Sequence, residues 1–473
     1  MTLKEVLHRA FSAPKLAIDS SDLSGCPMER WQSSASTPRL PREPVDRLVG
    51  PLARFLHVEA ASGIILLVMT LAALVLANSP LAEEFLRFWE TPLNVSVGAF
   101  ALSHTLRGWI NHGLMAIFFF VVGLEVKREF VQGELRDPRA AALPIVAALG
   151  GMLAPAGLYL ATQWGKAGER GWGIPMATDI AFVVGCLAVL GPRAPHSLRI
   201  LLLTLAIADD ISAIIVIAVG YSAELNLLAL GVGMLGLGLV NGLTRLGVRS
   251  VAIYIFAGLI VWFAFHESGV HAALAGVLLG FLTPARSWIS DGHLAEVMQK
   301  IRSFLEGEPR SNGKERQAML RTMERAARES LSPLERLEVI LHPWVSFVIM
   351  PIFALANAGV AVELTAVRHS VTAAVMIGLV VGKPLGIVLL SWIAVRLRFA
   401  KLPAELSWGT LAAGGALAGI GFTVSLFLAG LALHNELLAA AKIGILGGSA
   451  ISAVVGMLLL WCMPKPARET AVR

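Results

Sequence analysis

The chain has 473 residues, of which 56% are hydrophobic and only 15% charged, with a mean hydropathy of +0.71. That balance excludes an ordinary soluble domain and indicates a polytopic membrane protein. The net charge of +6 and pI near 9.4 come from basic residues spread over short loops without a base-reading motif, so no nucleic-acid partner is expected.

Residues 1–48 are rich in Ser, Pro and charge and lack the apolar core of about 7–15 residues that a secretory signal needs. They read as a poorly ordered cytoplasmic tail. In 45–57, Val45, Leu48, Leu52, Phe55 and Leu56 recur at helical spacing, as an interfacial helix or an extension of the first span. A transmembrane domain over 49–464 follows, and 465–473 form a short C-terminal tail. With a window able to cross about 30 Å of hydrocarbon, twelve candidate spans centre near Leu67, Phe118, Ala148, Phe182, Ile207, Met234, Phe256, Ala275, Met350, Leu379, Ile420 and Ala453. The expected fold is therefore an all-α polytopic membrane protein.

Between the first two spans, 92–106 alternates in the manner of a strand pair around Gly98, which predicts a small β-hairpin outside the membrane and a dimer contact through its edges. The long cytoplasmic loop 284–341 mixes Lys and Arg with Glu and Asp and reads as a solvated helical connector with no chemistry of its own. When loops are assigned to alternate sides, 32 of the 39 Lys and Arg fall on one side and 6 on the other, with Lys383 inside a span. The excess marks the cytoplasmic side and places both termini there. Cys26, Cys186 and Cys462 are scattered, with no CxxC pair, and imply neither a disulfide nor a structural zinc.

Charges inside apolar runs are costly, by roughly 2.5–3.5 kcal/mol each at the helix centre on an insertion scale. Asp209 and Asp210 lie in the run 200–220, Asp179 in 174–190 and Lys383 in 371–395. Neighbouring residues on a helix point about 100° apart, so one aspartate of the doublet can face a water-filled funnel while the other turns toward a neighbouring helix. A small hard cation that binds carboxylate oxygens must displace the protons that burial and a neighbouring like charge favour there. Such competition, at a site exposed alternately to each side, suffices for cation/proton exchange. Lys383 is the internal counter-charge, against the alternative of snorkelling toward an interface. Asp179 follows Pro175, which removes a backbone donor, and a helix-capping role competes with one in transport. Glycines likewise interrupt 414–421 before Thr423 and Ser425. Both breaks invite unwinding at membrane depth, which is tolerated only where protein or a cavity satisfies the backbone. Glu125 and Glu129 share a helix face at the cytoplasmic end of the second span, while His271 and His342 are titratable groups near span ends.

The stretches Gly123-Leu-Glu-Val-Lys-Arg-Glu129, Ala177-Thr-Asp-Ile-Ala-Phe182, Leu205-Ala-Ile-Ala-Asp-Asp-Ile211, Gly269-Val-His271, Leu341-His-Pro-Trp344, Phe353-Ala-Leu-Ala-Asn-Ala-Gly359, Gly382-Lys-Pro-Leu-Gly386 and Gly419-Ile-Gly-Phe-Thr-Val-Ser425 occur in this order. Together they resemble the NhaA-type sodium/proton antiporters over about 50–460. The resemblance implies NhaA-like inverted repeats, formed by spans three to five and ten to twelve, with the fourth and eleventh spans discontinuous and crossing. It implies cation binding at Asp209 and Asp210 with help from Thr178, and charge compensation at the crossing by Asp179 and Lys383, with Lys383 paired to Asp209. It further implies electrogenic export of Na⁺ or Li⁺ against a larger number of entering H⁺, no cofactor, a homodimer in the bacterial inner membrane, and activation at alkaline pH. The pH response is associated with Glu125, Arg128, Glu129 and Glu338, with His271 as a further candidate. Val339 stands where some members have a histidine. Two rivals are an intramembrane aspartyl protease, which lacks its Gly-x-Gly-Asp motif here and whose shared-proton dyad a buried lysine would hinder, and a sodium-coupled solute symporter.

Overall fold

The computed structural model describes residues 59–97, 100–221, 225–248, 251–287, 292, 295–300, 313–362, 364–403 and 405–463. The expected tails 1–48 and 465–473 and the segment 45–57 lie outside the described residues. Helix α1 (Glu59–Ala77) is followed by α2 (Ala82–Trp89), bent by 118° from it. Their compositions explain the difference: α1 is apolar nearly throughout, whereas α2 carries Glu83, Glu84 and Arg87 beside Phe85, Phe88 and Trp89.

Strands β1 (Pro92–Val97) and β2 (Phe100–Thr105) pair antiparallel, with Pro92 opposite Thr105 and Val97 opposite Phe100. The hairpin is tied back to the domain by the Leu106 N–H donating to the Thr91 carbonyl at 3.0 Å and Trp109 Nε1 donating to the Leu93 carbonyl at 2.9 Å.

The next helices are α3 (Met115–Val131), entered through a π-turn at Ile110–Leu114, α4 (Pro138–Gln163), α5 (Ile180–Leu190), α6 (His196–Gly220), α7 (Leu227–Arg245), α8 (Val251–Glu267) and α9 (Ala273–Leu282). A polar helix, α10 (Gly313–Ser330), precedes α11 (Pro333–Trp344), α12 (Met350–Asn357), α13 (Ser370–Ile377), α14 (Lys383–Arg396), α15 (Trp408–Ala418), α16 (Phe422–Ala432) and α17 (Asn435–Cys462). The start of α11 falls inside the segment read as a loop. Ser332 and Glu335 close a reciprocal capping box there, with Pro333 at the first helical position.

Among the described residues, eight helices are long and apolar enough to cross a membrane, or up to ten when two bent pairs each count as one span. The difference from twelve has a physical source. The helices at the seventh and eighth expected centres are short, and a helix of 10 residues such as α9 rises only about 15 Å. The outer faces are apolar, with Leu227, Leu228 and Leu235 at 75–79% exposure on α7, as lipid-facing surfaces require.

Close helix crossings rest on small residues, which let backbones approach without a hydrophobic driving force between helices. At Gly150 on α4 and Gly386 on α14, a Cβ built on either would sit 2.0–2.1 Å from the other's carbonyl oxygen. Gly276 on α9 meets the Ala116 carbonyl of α3 in the same manner, at 2.2 Å. The first of these crossings fixes the helix that carries Lys383.

Candidate cation and proton site

Two interrupted segments meet in the interior. Glu169–Met176 is a 3₁₀ helix containing Pro175; the chain then extends through Ala177 (ψ 150°) and Asp179 (ψ 102°) before α5 begins. Across from it, α15 ends at Ala418 and α16 starts at Phe422, with a bend of 49° between them. The Asp179 N–H donates to the Ile420 carbonyl at 2.6 Å, and Ser425 Oγ donates to the Ile174 carbonyl at 2.7 Å. Each break thereby satisfies backbone groups that the other exposes.

Asp179 serves two helix starts. Its Oδ1 accepts the Phe182 N–H of α5 at 3.3 Å, and its Oδ2 accepts the Thr423 N–H at 3.0 Å and the Thr423 hydroxyl at 2.5 Å on α16. Both helices direct their positive dipole ends at this carboxylate. Lys383, at 0% exposure, performs the converse task. Its Nζ donates to the Met176 carbonyl at the end of the 3₁₀ segment at 2.5 Å, and it pairs with Asp209 Oδ2 at 3.0 Å. At 0% exposure, with Gly151 beside its Cε, the lysine does not snorkel to an interface.

The aspartate doublet on α6 divides as helical geometry requires. Asp209, 2% exposed, accepts from Thr178 Oγ1 at 2.5 Å as well as from Lys383, and its Oδ1 has no hydrogen-bond partner. Asp210, 4% exposed, has no hydrogen-bond partner among the described residues and lines a cavity of about 1120 Å³. Thr178 Oγ1 also lies 3.1 Å from the Ala418 carbonyl. A hydroxyl has one proton to give, so it donates either to Asp209 or to the carbonyl at the end of α15.

The cavity is a funnel lined by Asp210, Thr178 and Asp179 at its base and by Glu125, Glu129, Arg128, Glu338 and His342 farther out. Arg128 and Glu338 form an ion pair between α3 and α11. Lys127, on the other side of α3, instead donates to the Phe281 and Thr283 carbonyls at 2.7 and 2.5 Å, capping the end of α9. Four of the five residues read as pH-responsive thus share the funnel. His271 does not: it lies away from it, against His112 and Phe427.

Sequence reading singled out the Thr423 hydroxyl without giving it a partner, and it did not anticipate the Met176 carbonyl. The hydroxyl just after a glycine break was the available signal for the first. No side-chain signal exists for the second. Among the described residues, no three His, Cys, Asp or Glu side chains are grouped as metal ligands. The base of the funnel instead offers oxygen atoms suited to a hard cation, the Asp210 carboxylate and Thr178 Oγ1, while Asp209 Oδ1, next along the same helix, is buried behind the lining.

Comparison with known proteins agrees with this architecture. The model of the family described as "Na+/H+ antiporter 1" matches residues 53–460. The chain is 53% identical to the Na(+)/H(+) antiporter NhaA of Rhodopirellula baltica, over 91% of this chain and 98% of that protein. It is 52% identical to that of Rhizobium meliloti, over 92% and 99%, and 49% identical to the Na(+)/H(+) antiporter NhaA 2 of Vibrio vulnificus, over 89% and 94%. A matched region of that extent, together with apolar helices that converge on buried charges, makes this chain a multi-pass membrane protein of the Na+/H+ antiporter 1 family.

Proposed function

We propose that this protein exchanges Na⁺ or Li⁺ for H⁺ across the bacterial inner membrane, by alternating access at Asp209 and Asp210. The observation that carries the proposal is the contrast within the doublet: an Asp210 without a hydrogen-bond partner among the described residues, lining a funnel, beside an Asp209 tied to the fully buried Lys383. The relatives' names, sodium/proton antiporters, agree with it.

A cation entering the funnel meets Asp210 first and completes its shell with Asp209 Oδ1 and Thr178. Its charge weakens the hold of Asp209 on Lys383, and the Thr178 hydroxyl can then turn to the Ala418 carbonyl. Protons reverse the sequence, because a protonated carboxyl offers a poor site to a cation. The contacts of Asp179 with Ile420 and Thr423 keep the two broken segments together in either state, and Lys383 holds the end of the first through the Met176 carbonyl, so the crossing moves as one body. Spans three to five and ten to twelve form the inverted repeats, within twelve spans in all. The funnel faces the cytoplasm, as do both termini, in keeping with the basic loops. Two copies associate through the hairpin. Exchange of each cation for a larger number of protons moves net charge, so the membrane potential contributes about 2.3 kcal/mol per charge per 100 mV. The Glu125, Arg128, Glu129 and Glu338 cluster sets an activation at alkaline pH.

The test is dequenching of a pH-sensitive dye in proteoliposomes with an acidic interior, on addition of NaCl, LiCl or KCl. Responses to Na⁺ and Li⁺ that disappear in Asp210→Asn support exchange at the doublet. A sodium flux that requires an organic solute would replace antiport with symport.

A further inference from the structure

On the hairpin side of the molecule, away from the funnel, four histidines from four separate segments stand ring to ring. His104 (β2) and His266 (α8) approach with Nε2 atoms 3.1 Å apart. His112, in the π-turn before α3, lies with its ring centroid 5.3 Å from each of them. The His271 ring is 5.2 Å from His112 and, on its far side, 5.2 Å edge-on from Phe427 of α16. The line runs inward, from a half-buried His104 to a buried His271. Phe427 lies four residues along α16 from Thr423, about 6 Å of helix, and Thr423 holds Asp179. The rings of Phe119 and Phe353, 5.5 and 6.3 Å from that of Phe427, complete an aromatic layer there.

We propose that His104, His266, His112 and His271 form a proton relay, through which protons from the hairpin side reach the aspartate site when the aromatic layer parts. The proposal rests on the antiport reading above. A neutral imidazole holds one donor and one acceptor nitrogen, so at His104, His266 and His112 a proton taken at one nitrogen is balanced by release of the proton from the other; at His271 the acceptor is Nδ1, which lets go of the Ala273 N–H to take the proton while Nε2 releases its own, and each ring returns to neutrality after transfer. The final acceptor is a carboxylate of the doublet. Histidines packed only for structure would have their buried nitrogens paired. Here His112 Nδ1 and His271 Nε2, on adjacent rings, are both buried without a partner among the described residues, while the Nδ1 of His271 accepts the Ala273 N–H at 3.2 Å in the resting state.

The surroundings fit transit rather than storage. Four close imidazoles cannot all carry charge, because like charges oppose one another. The elements packed on the array contribute apolar or neutral groups: Trp262 of α8, stacked on His266 with its Nε1 donating to the His112 carbonyl, Trp109 against His104, and Phe427 of α16. Among the described residues, the charged side chain that acts on the array is Glu267, exposed at the end of α8 beside His266, where it would draw protons to the outer pair.

The experiment uses right-side-out membrane vesicles carrying the full-length His112→Gln/His266→Gln variant, with the pH of each side varied in turn. Exchange of labelled Na⁺ for Na⁺ at equal pH needs no net proton movement and should remain within about twofold of wild type, whereas flux driven by protons from the hairpin side should fall about tenfold or more. Its dependence on pH at that side should flatten, with the dependence on pH at the funnel side unchanged. Proton-driven flux with a wild-type profile on the hairpin side would overturn the relay while leaving antiport intact. Absence of proton-driven flux in the wild type would overturn antiport itself. Should the double variant lose Na⁺/Na⁺ exchange through misfolding, His104→Gln on the half-buried outer ring carries the same test: a flattened hairpin-side profile is expected, and an unaltered one refutes the relay.

Discussion

The two carboxylates of the doublet are adjacent in sequence and opposite in construction. Asp209 is buried and tied, with Lys383 and Thr178 on one oxygen; Asp210 has no partner among the described residues and lines the funnel. A helix places consecutive side chains about 100° apart, and this rotation alone sends one acid to the neighbouring helices and the other to the funnel. The difference teaches why transport machinery keeps a pair: one carboxylate couples the site to the surrounding helices, and the other meets the ion. A single aspartate would have to be both held and free.

Substitutions can break that comparison. Lys383→Ala should have the largest effect on stability, about 3–5 kcal/mol, because it leaves the Asp209 carboxylate buried without its counter-charge. Adding Asp209→Asn should recover much of that loss, and thermal unfolding of the two variants in detergent checks it. Asp210→Asn should abolish Na⁺-dependent proton flux yet leave the unfolding temperature near that of wild type, since no partner is lost. Equal destabilisation by Asp209→Asn and Asp210→Asn would dissolve the distinction. Next in size, Thr423→Val removes one charge-assisted hydrogen bond from Asp179 and should cost about 1.5–3 kcal/mol, with the bond from the Thr423 N–H retained. Smallest, Arg128→Gln should change stability by no more than about 1 kcal/mol, because its pairing with Glu338 is partly exposed. Its effect belongs in the pH profile of dye dequenching instead.

The legible parts of the site were those whose oddity is local. Asp209, Asp210, Asp179 and Lys383 were conspicuous because each is a charge within an apolar run, and Pro175 and the glycines of 414–421 announced breaks by removing a donor or a side chain. What the breaks do to one another was not legible, because Asp179 and Thr423 are 244 residues apart and their contact exists only after folding. The span count is legible only in part for a related reason: hydropathy windows register apolar runs, whereas the turn at 268–272 leaves the helices on either side of it shorter than the eight to ten that length and composition mark as spans. The histidine array left no trace, since its members come from four segments with no shared spacing. The pH-response role read for His271 carries no position, and the structure sets its ring on the hairpin side against His112 and Phe427.

Competition between cation and proton is the centre of this account, and it has a thermodynamic signature. Ligands that must be deprotonated release protons when the metal ion binds, and apparent affinity weakens as pH falls. Calorimetric titration of the purified protein with NaCl, repeated in two buffers of different ionisation enthalpy, counts those protons directly. The prediction is a release into the buffer in wild type, a weakening apparent affinity toward acidic pH, and no binding in Asp210→Asn. Na⁺ binding whose heat is the same in both buffers, with affinity independent of pH, would contradict it.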